Sequence, residues 1–82
     1  MSYTIQLTKK ARKFIASQPR SRQEQLLRAI YKLPDAGDIK PIEGTSSLYR
    51  LRVGQYRVIY TLQSSILTVT VINIGNRGDI YK

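Results

Sequence analysis

The N-terminal part of the chain switches from a two-residue to a three-to-four-residue hydrophobic period. Residues 3–7 alternate apolar and polar side chains, which predicts a short strand with one buried face. Over residues 9–17 the apolar positions recur at intervals of three and four, a pattern typical of an amphipathic helix. We expect Thr8 to cap this helix and Pro19 to interrupt it.

A second amphipathic helix is predicted after this proline. Ser21 and Glu24 have the spacing of a capping box, and Pro34 stops the pattern. Between them the apolar residues lie at helical spacing: Leu26, Leu27, Ile30 and Leu33. The two helices form a hairpin whose apolar stripes need a sheet to pack against.

The second half of the chain predicts that sheet. Residues 34–47 contain the prolines, glycines and serines of a loop. Three strands rich in β-branched and aromatic residues are predicted next, over Leu48–Val53, Tyr56–Gln63 and Ile66–Ile74. We expect one α+β domain over residues 1–82, because the chain is too short for a second core. In this fold a short N-terminal strand precedes a two-helix hairpin, which packs on one face of an antiparallel sheet completed by the three C-terminal strands.

The turns predict which strand residues lie opposite one another. A glycine begins the break at 54–55, which suits a type II′ turn and places Arg52 opposite Arg57. The break at 64–65 is a Ser-Ser pair, a weaker turn signal. A two-residue turn there would place Arg57 opposite Ile72.

Period-two alternation then sorts the strand side chains between two faces. The face predicted to meet the helices carries Tyr49, Leu51, Val53, Tyr56, Val58, Tyr60, Leu62, Leu67, Val69 and Val71. Arg50, Arg52 and Arg57 share the other face. Like charges directly opposite destabilise a sheet by up to about 1 kcal/mol. We therefore infer that the Arg52–Arg57 pair is retained to bind a phosphate or carboxylate.

Composition excludes several classes of chemistry. The chain has no cysteine and no histidine, which excludes disulfides, Cys/His zinc sites and the Ser-His-Asp or Cys-His nucleophiles. No apolar run approaches the roughly 20 residues of a membrane span. The N-terminal residues lack the apolar segment of a signal peptide, so the expected location is the cytoplasm.

The charges are unevenly distributed. Fourteen Lys plus Arg against five Asp plus Glu give a net charge of +9, which attracts polyanions. Between Gly44 and Gly78 there is no acidic residue and no lysine. Four arginines lie there: Arg50, Arg52, Arg57 and Arg77. Surfaces normally intersperse both signs, so this distribution indicates anion recognition, with simple exposure to water as the alternative.

These residues carry a family resemblance. Residues 48–60 read LYRLRVGQYRVIY, followed by IGNR at 74–77 and DIY at 79–81. With the order of the predicted elements, this pattern resembles the RelE-type toxins of the RelE/ParE toxin superfamily over nearly the whole chain. The resemblance implies a ribosome-dependent mRNA endonuclease, or mRNA interferase, that inhibits translation without a metal or other cofactor.

The resemblance also implies a catalytic set and a mechanism. The basic and aromatic positions of the family motif match Arg50, Arg52, Arg57, Arg77 and Tyr81. In the implied reaction the ribose 2′-hydroxyl attacks the adjacent phosphate in the ribosomal A site. That step needs orientation and charge stabilisation rather than a protein nucleophile, and guanidinium groups suit both needs.

The proton acceptor is left open. Arginine stays protonated above pH 12, so Arg50 and Arg52, where relatives often have lysine, are poor bases. Some relatives have histidine where this chain has Asn76. The alternatives are Tyr81, a ribosomal or RNA group, and no discrete base.

The resemblance implies partners and leaves two other functions open. The expected partners are an acidic RelB-like antitoxin in a hetero-oligomer, the ribosome and mRNA, with no membrane, and with DNA reached only through the antitoxin. The first alternative is a ParE-like inhibitor of DNA gyrase that cleaves nothing. The second is a degenerate toxin that only binds its antitoxin.

Overall fold

The computed structural model describes residues 3–44 and 47–76. Within these ranges the chain forms five strands and two α-helices. In chain order they are β1 (Thr4–Leu7), α1 (Lys9–Ala16), α2 (Arg20–Ile30), β2 (Asp38–Pro41), β3 (Leu48–Val53), β4 (Tyr56–Gln63) and β5 (Thr68–Asn76). A short 3₁₀ helix, Ser64–Ile66, connects the last two strands. Neither described α-helix is long and apolar enough to cross a membrane.

The strands form one sheet in the order β1-β5-β4-β3-β2. The four strands from β2 to β5 are antiparallel to their neighbours, whereas β1 is parallel to β5. The helical hairpin connects β1 to the rest of the sheet and packs on one face. The α+β fold class is confirmed, with a mixed sheet and one strand more than the sequence predicted.

The core lies between the helices and one face of the sheet. Its buried members are Ala11, Ile15, Leu26, Ile30, Leu33, Leu51, Val53, Tyr56, Val58, Tyr60, Val69, Val71 and Ile74. Tyr56 links sheet and helices, because its ring meets Phe14 edge-on at 5.8 Å and its hydroxyl donates to Gln18 Oε1 at 2.9 Å. This packing leaves the opposite face of the sheet for other uses.

The helix starts confirm one prediction and overturn another. Thr8 caps α1, since its side chain accepts a hydrogen bond from the backbone N–H of Ala11. The capping box predicted at Ser21 is wrong, because α2 already begins at Arg20 with Pro19 as its N-cap. The Pro19 carbonyl accepts from the backbone N–H groups of Arg22 and Gln23, and no side chain caps this helix start.

The C-terminal end of α2 also differs from the prediction. The helix ends at Ile30, before Pro34, and turns occupy residues 31–35. Leu33 nevertheless packs into the core from one of these turns. The apolar spacing was therefore right about burial and wrong about the helical conformation at this position.

The turn before β5 corrects the predicted register. The 64–65 break is a longer turn that ends at Leu67 with φ of 49°, so β5 spans Thr68–Asn76 and Leu67 does not join the core. A bulge at Ile59/Tyr60 shifts the pairing once more. Arg57 consequently lies opposite Gly75, and the predicted pairing with Ile72 is wrong.

The predicted loop at 34–47 contains a strand, β2, which pairs with β3. A single apolar residue, Ile39, gave it no clear strand pattern. Its place at the sheet edge explains how it tolerates Pro41. Gly37 lets the chain approach β3, because a Cβ there would lie 2.6 Å from Leu51 Cδ1. Tertiary pairing therefore makes this strand.

The hydroxyl of Tyr60 is expected to make stability depend on alkaline pH. Burial, and then the neighbouring Tyr49, raises the pKa of Tyr60 from 10.0 to about 12. The unfolded chain releases this proton near pH 10, so the stabilisation is complete below that pH and is lost between about pH 10 and 12. We expect a loss of about 1.4 kcal/mol by pH 11. Urea unfolding at about pH 9 and pH 11 measures it, and Tyr60→Phe should show a smaller decline.

Candidate functional site

The face of the sheet turned away from the helices carries two cross-strand rows. The first, which we name the Arg52 row, consists of Asp38, Arg52, Arg57 and Gly75 in register across β2 to β5. The second, the Arg50 row, consists of Lys40, Arg50, Ile59 and Asn73. The predicted pairing of Arg52 with Arg57 is confirmed. The hairpin turn at Gly54, where φ is 57°, sets this pairing.

The Arg52 row combines a like-charge pair with an ion pair. Arg52 and Arg57 are direct cross-strand neighbours, which destabilises the sheet by a few tenths to about 1 kcal/mol. On its other side Arg52 contacts Asp38, whose Oδ2 lies 2.8 Å from both Nε and Nη2. Both partners of this ion pair are about half exposed, so solvent screens it. The row presents cationic donors to solvent.

Arg50 differs from its neighbours in being buried. It is only 8% exposed, and Ile59 directly opposite is 6% exposed. Among the described residues Arg50 Nη1 has no hydrogen-bond partner. A buried guanidinium with an unsatisfied nitrogen destabilises the fold. An arginine at this position is therefore better explained by binding of an anion than by a contribution to stability.

The two rows act on each other electrostatically. The hydrogen bond from Arg52 lowers the pKa of Asp38. Desolvation opposes this shift, and the charges of Arg52, Arg50 and Lys40 lower the pKa further. Asp38 is therefore ionised throughout the neutral range. One carboxylate thus faces four cations of the two rows, and their sum remains positive.

Three of the five predicted site residues lie together on this face, namely Arg50, Arg52 and Arg57. The other two, Arg77 and Tyr81, lie outside the described residues. The last described residue, Asn76, pairs with Tyr56 at the arginine end of β4. The structure therefore places the three hairpin arginines of the predicted set on one face, and their role as a site stays a prediction.

Sequence reasoning missed Asp38 because it assigned residues 34–47 to a loop. A weak signal was present, since Asp38 and Lys40 flank Ile39 in a polar-apolar-polar alternation before Pro41.

In the described part of the chain, no cluster of three or more acidic, histidine or cysteine side chains could hold a metal ion.

A family model matches residues 5–81 of this chain, and its description is the ParE toxin of the type II toxin–antitoxin system parDE. The chain belongs to this toxin family. The predicted membership of the RelE/ParE superfamily is confirmed. No curated protein sequence matches the toxin.

Solved structures of RelE toxins share the fold of this toxin. The toxin is 28% identical to a chain of the archaeal RelE–RelB complex from Pyrococcus horikoshii, with a TM-score of 0.78 and coverage of 96% and 99% of the two chains. A chain of the Mycobacterium tuberculosis RelBE2 toxin–antitoxin complex is 21% identical, with a TM-score of 0.80 and coverage of 94% and 100%. Escherichia coli RelE in the free state, as an arginine-to-alanine double mutant, is 20% identical, with a TM-score of 0.79 and coverage of 99% and 90%.

Proposed function

We propose that this toxin is a metal-independent endoribonuclease that cleaves mRNA in the ribosomal A site. The observation that carries the proposal is a buried arginine, Arg50, on the same sheet face as Arg52 and Arg57, which lie directly opposite each other on β3 and β4. This arrangement lowers stability and supplies donors for a phosphate. The 28% identity to a RelE chain over almost the full length supports it.

The arginines provide electrostatic stabilisation in the proposed reaction. As the 2′-oxygen attacks, negative charge builds on the non-bridging oxygens of the phosphate. Guanidinium groups held by strands meet this charge without reorganising, and each such donor contributes about 3 to 4 kcal/mol to the transition state. Arg52 and Arg57 contact the phosphate from the exposed row, while the buried charge of Arg50 adds to the positive potential behind them.

The described arginines do not remove the proton from the 2′-hydroxyl, because guanidinium remains protonated at any physiological pH. The proton acceptor in this proposal therefore lies outside them. The alternatives are Tyr81, a group of the ribosome or the RNA, and no discrete base, and Arg77 stabilises the leaving oxygen by its charge.

We also propose an acidic antitoxin as the partner that holds the toxin inactive. The P. horikoshii relative is a chain of a RelE–RelB complex. A net charge of +9 favours an acidic partner, and such segments commonly fold on binding. Any DNA binding by the resulting complex comes from the antitoxin in this proposal.

The proposal is tested by adding purified toxin to ribosomes programmed with a defined message and mapping the RNA ends by primer extension. We expect cuts in the A-site codon. Arg57→Ala should lower the cleavage rate roughly 100-fold and leave the melting temperature unchanged or raised, because it removes a like-charge neighbour of Arg52. Arg77→Ala should also remove the cuts.

Arg12→Ala is the matched control, because it removes the same charge from an exposed position of α1. It should cleave like the wild type. Equal losses of cleavage rate in Arg57→Ala and Arg12→Ala would show that the rate depends on the net charge and not on the arginine site. A large loss of stability in Arg57→Ala would contradict the functional reading of the Arg52–Arg57 pair.

The ParE family match favours a second function, inhibition of DNA gyrase without cleavage. A supercoiling assay with purified gyrase separates the two. Blocked supercoiling together with intact message on ribosomes would establish the second function. Uncut message with uninhibited gyrase is the result expected of a degenerate toxin that only binds its antitoxin.

A further inference from the structure

The carboxylate of Asp38 contacts two nitrogens of the Arg52 guanidinium. Its Oδ2 lies 2.8 Å from Nε and 2.8 Å from Nη2, so two donors of one guanidinium converge on one oxygen. This contact defines the plane of the group as well as its position. Nη1 is not engaged by Asp38 and carries two N–H donors to the far side of the group.

The position of Asp38 follows from the sheet and not from chance proximity on a flexible surface. Backbone pairing places Asp38 directly opposite Arg52, with Arg57 on the other side of Arg52. Neighbouring strands lie about 4.8 Å apart, so Asp38 and Arg57 are about 10 Å apart across the row. Asp38 therefore draws Arg52 towards β2, against the crowding of two arginines on adjacent strands.

The same carboxylate opposes binding of an anion. It lies within the electrostatic reach of Arg52, Arg50 and Lys40, as its lowered pKa shows. A phosphate that approaches these cations also approaches a negative charge. Asp38 thus orders the side chain of Arg52 and at the same time lowers the affinity of the site for phosphate.

We infer that Asp38 is a positioning residue for Arg52, which it orders at the expense of affinity for RNA. This inference rests on the proposed function. A donor fixed in advance raises the rate of the chemical step, whereas a nearby carboxylate weakens binding of the substrate. Removing the charge of Asp38 therefore lowers both kcat and KM.

The kinetic test uses Asp38→Asn, which keeps the size of the side chain and removes its charge, on programmed ribosomes under single-turnover and steady-state conditions. We expect kcat to fall about tenfold and KM to fall about threefold. Asp38→Glu, which restores the charge, should recover part of kcat. Asp35→Asn is the matched control, because this exposed aspartate makes the same chemical change outside the rows, and both constants should stay at the wild-type values.

A binding arm does not depend on cleavage. The affinity of each variant is measured for a short RNA that carries 2′-O-methyl groups and so has no attacking hydroxyl. The Nε–H signal of Arg52 is recorded by ¹H–¹⁵N NMR at about pH 6. We expect Asp38→Asn to bind the RNA about threefold more tightly and to broaden or shift the Arg52 signal, while Asp35→Asn changes neither.

The outcomes separate this inference from the proposed function. An unchanged or raised kcat in Asp38→Asn would show that Asp38 only attenuates binding, and would overturn its positioning role. If the wild type cleaves no RNA, the proposed function is wrong. The RNA affinities and the NMR signal of Arg52 then test the role of Asp38 by themselves. Tighter RNA binding with an altered Arg52 signal would then support the ordering of Arg52 by Asp38, and unchanged binding and signal would overturn it.

Discussion

Replacing Arg50 by methionine is expected to stabilise the toxin and to remove its activity. Arg50 is 8% exposed, and its Nη1 has no hydrogen-bond partner among the described residues. Methionine has a similar length and no charge, so it removes an unsatisfied buried nitrogen and the repulsion from Lys40 and Arg52. We expect the free energy of unfolding to rise by about 1 to 3 kcal/mol.

The same substitution removes a buried positive charge from the proposed phosphate site. Cleavage on ribosomes should fall roughly 100- to 1,000-fold. Urea unfolding and initial cleavage rates measure the two effects on one preparation. Of the three candidate functions, only the endoribonuclease predicts that this substitution raises the free energy of unfolding and also lowers the cleavage rate.

Arg28→Met is the control for this experiment, because Arg28 lies exposed on α2, away from the two rows. Its stability should change by less than about 0.5 kcal/mol and its cleavage rate should be unchanged. A loss of stability in Arg50→Met would mean that the guanidinium stabilises the fold. The burial of Arg50 would then be explained without a bound ligand.

Replacing Tyr56 by alanine is expected to produce the largest loss of stability. Tyr56 is 1% exposed, packs edge-on against Phe14 and donates a hydrogen bond to Gln18. Removing a buried aromatic ring costs about 3 to 5 kcal/mol. In a domain of this size that corresponds to a fall in melting temperature of roughly 15 °C or more.

Tyr56→Phe separates the ring from its hydroxyl. It keeps the contact with Phe14 and loses only the hydrogen bond to Gln18, so we expect a loss of about 1 kcal/mol. Thermal unfolding followed by circular dichroism compares the two variants. A loss in Tyr56→Phe as large as that in Tyr56→Ala would assign the stabilisation to the hydrogen bond and would contradict the packing argument.

Local chemistry explains why much of the fold was predictable. Strand β3 and strand β4 have the predicted bounds, Leu48–Val53 and Tyr56–Gln63. Period-two alternation and a glycine at the turn are properties of neighbouring residues, and they suffice to place Arg52 opposite Arg57. The candidate arginines therefore share a face for reasons visible in a short stretch of chain.

Where the predictions failed, features without a strong signal in the sequence decide the structure. The register of β5 depends on a four-residue turn and on the bulge at Ile59/Tyr60, and neither has a strong sequence signal. The capping box does not form, because α2 begins at Arg20 and Ser21 therefore already lies inside the helix. The errors in these elements follow from competition between local signals and packing.

The amino-acid sequence by itself determined the helical hairpin, the central strands and a face rich in arginine, because periodicity and turn residues act over a few positions. Only the tertiary structure decided that β2 exists, that Asp38 contacts Arg52 and that Arg50 is buried. An edge strand with one apolar residue has no stable local conformation of its own. It forms because β3 offers unpaired backbone groups, and the residues of β3 that pair with it lie 8 to 14 positions further along the chain.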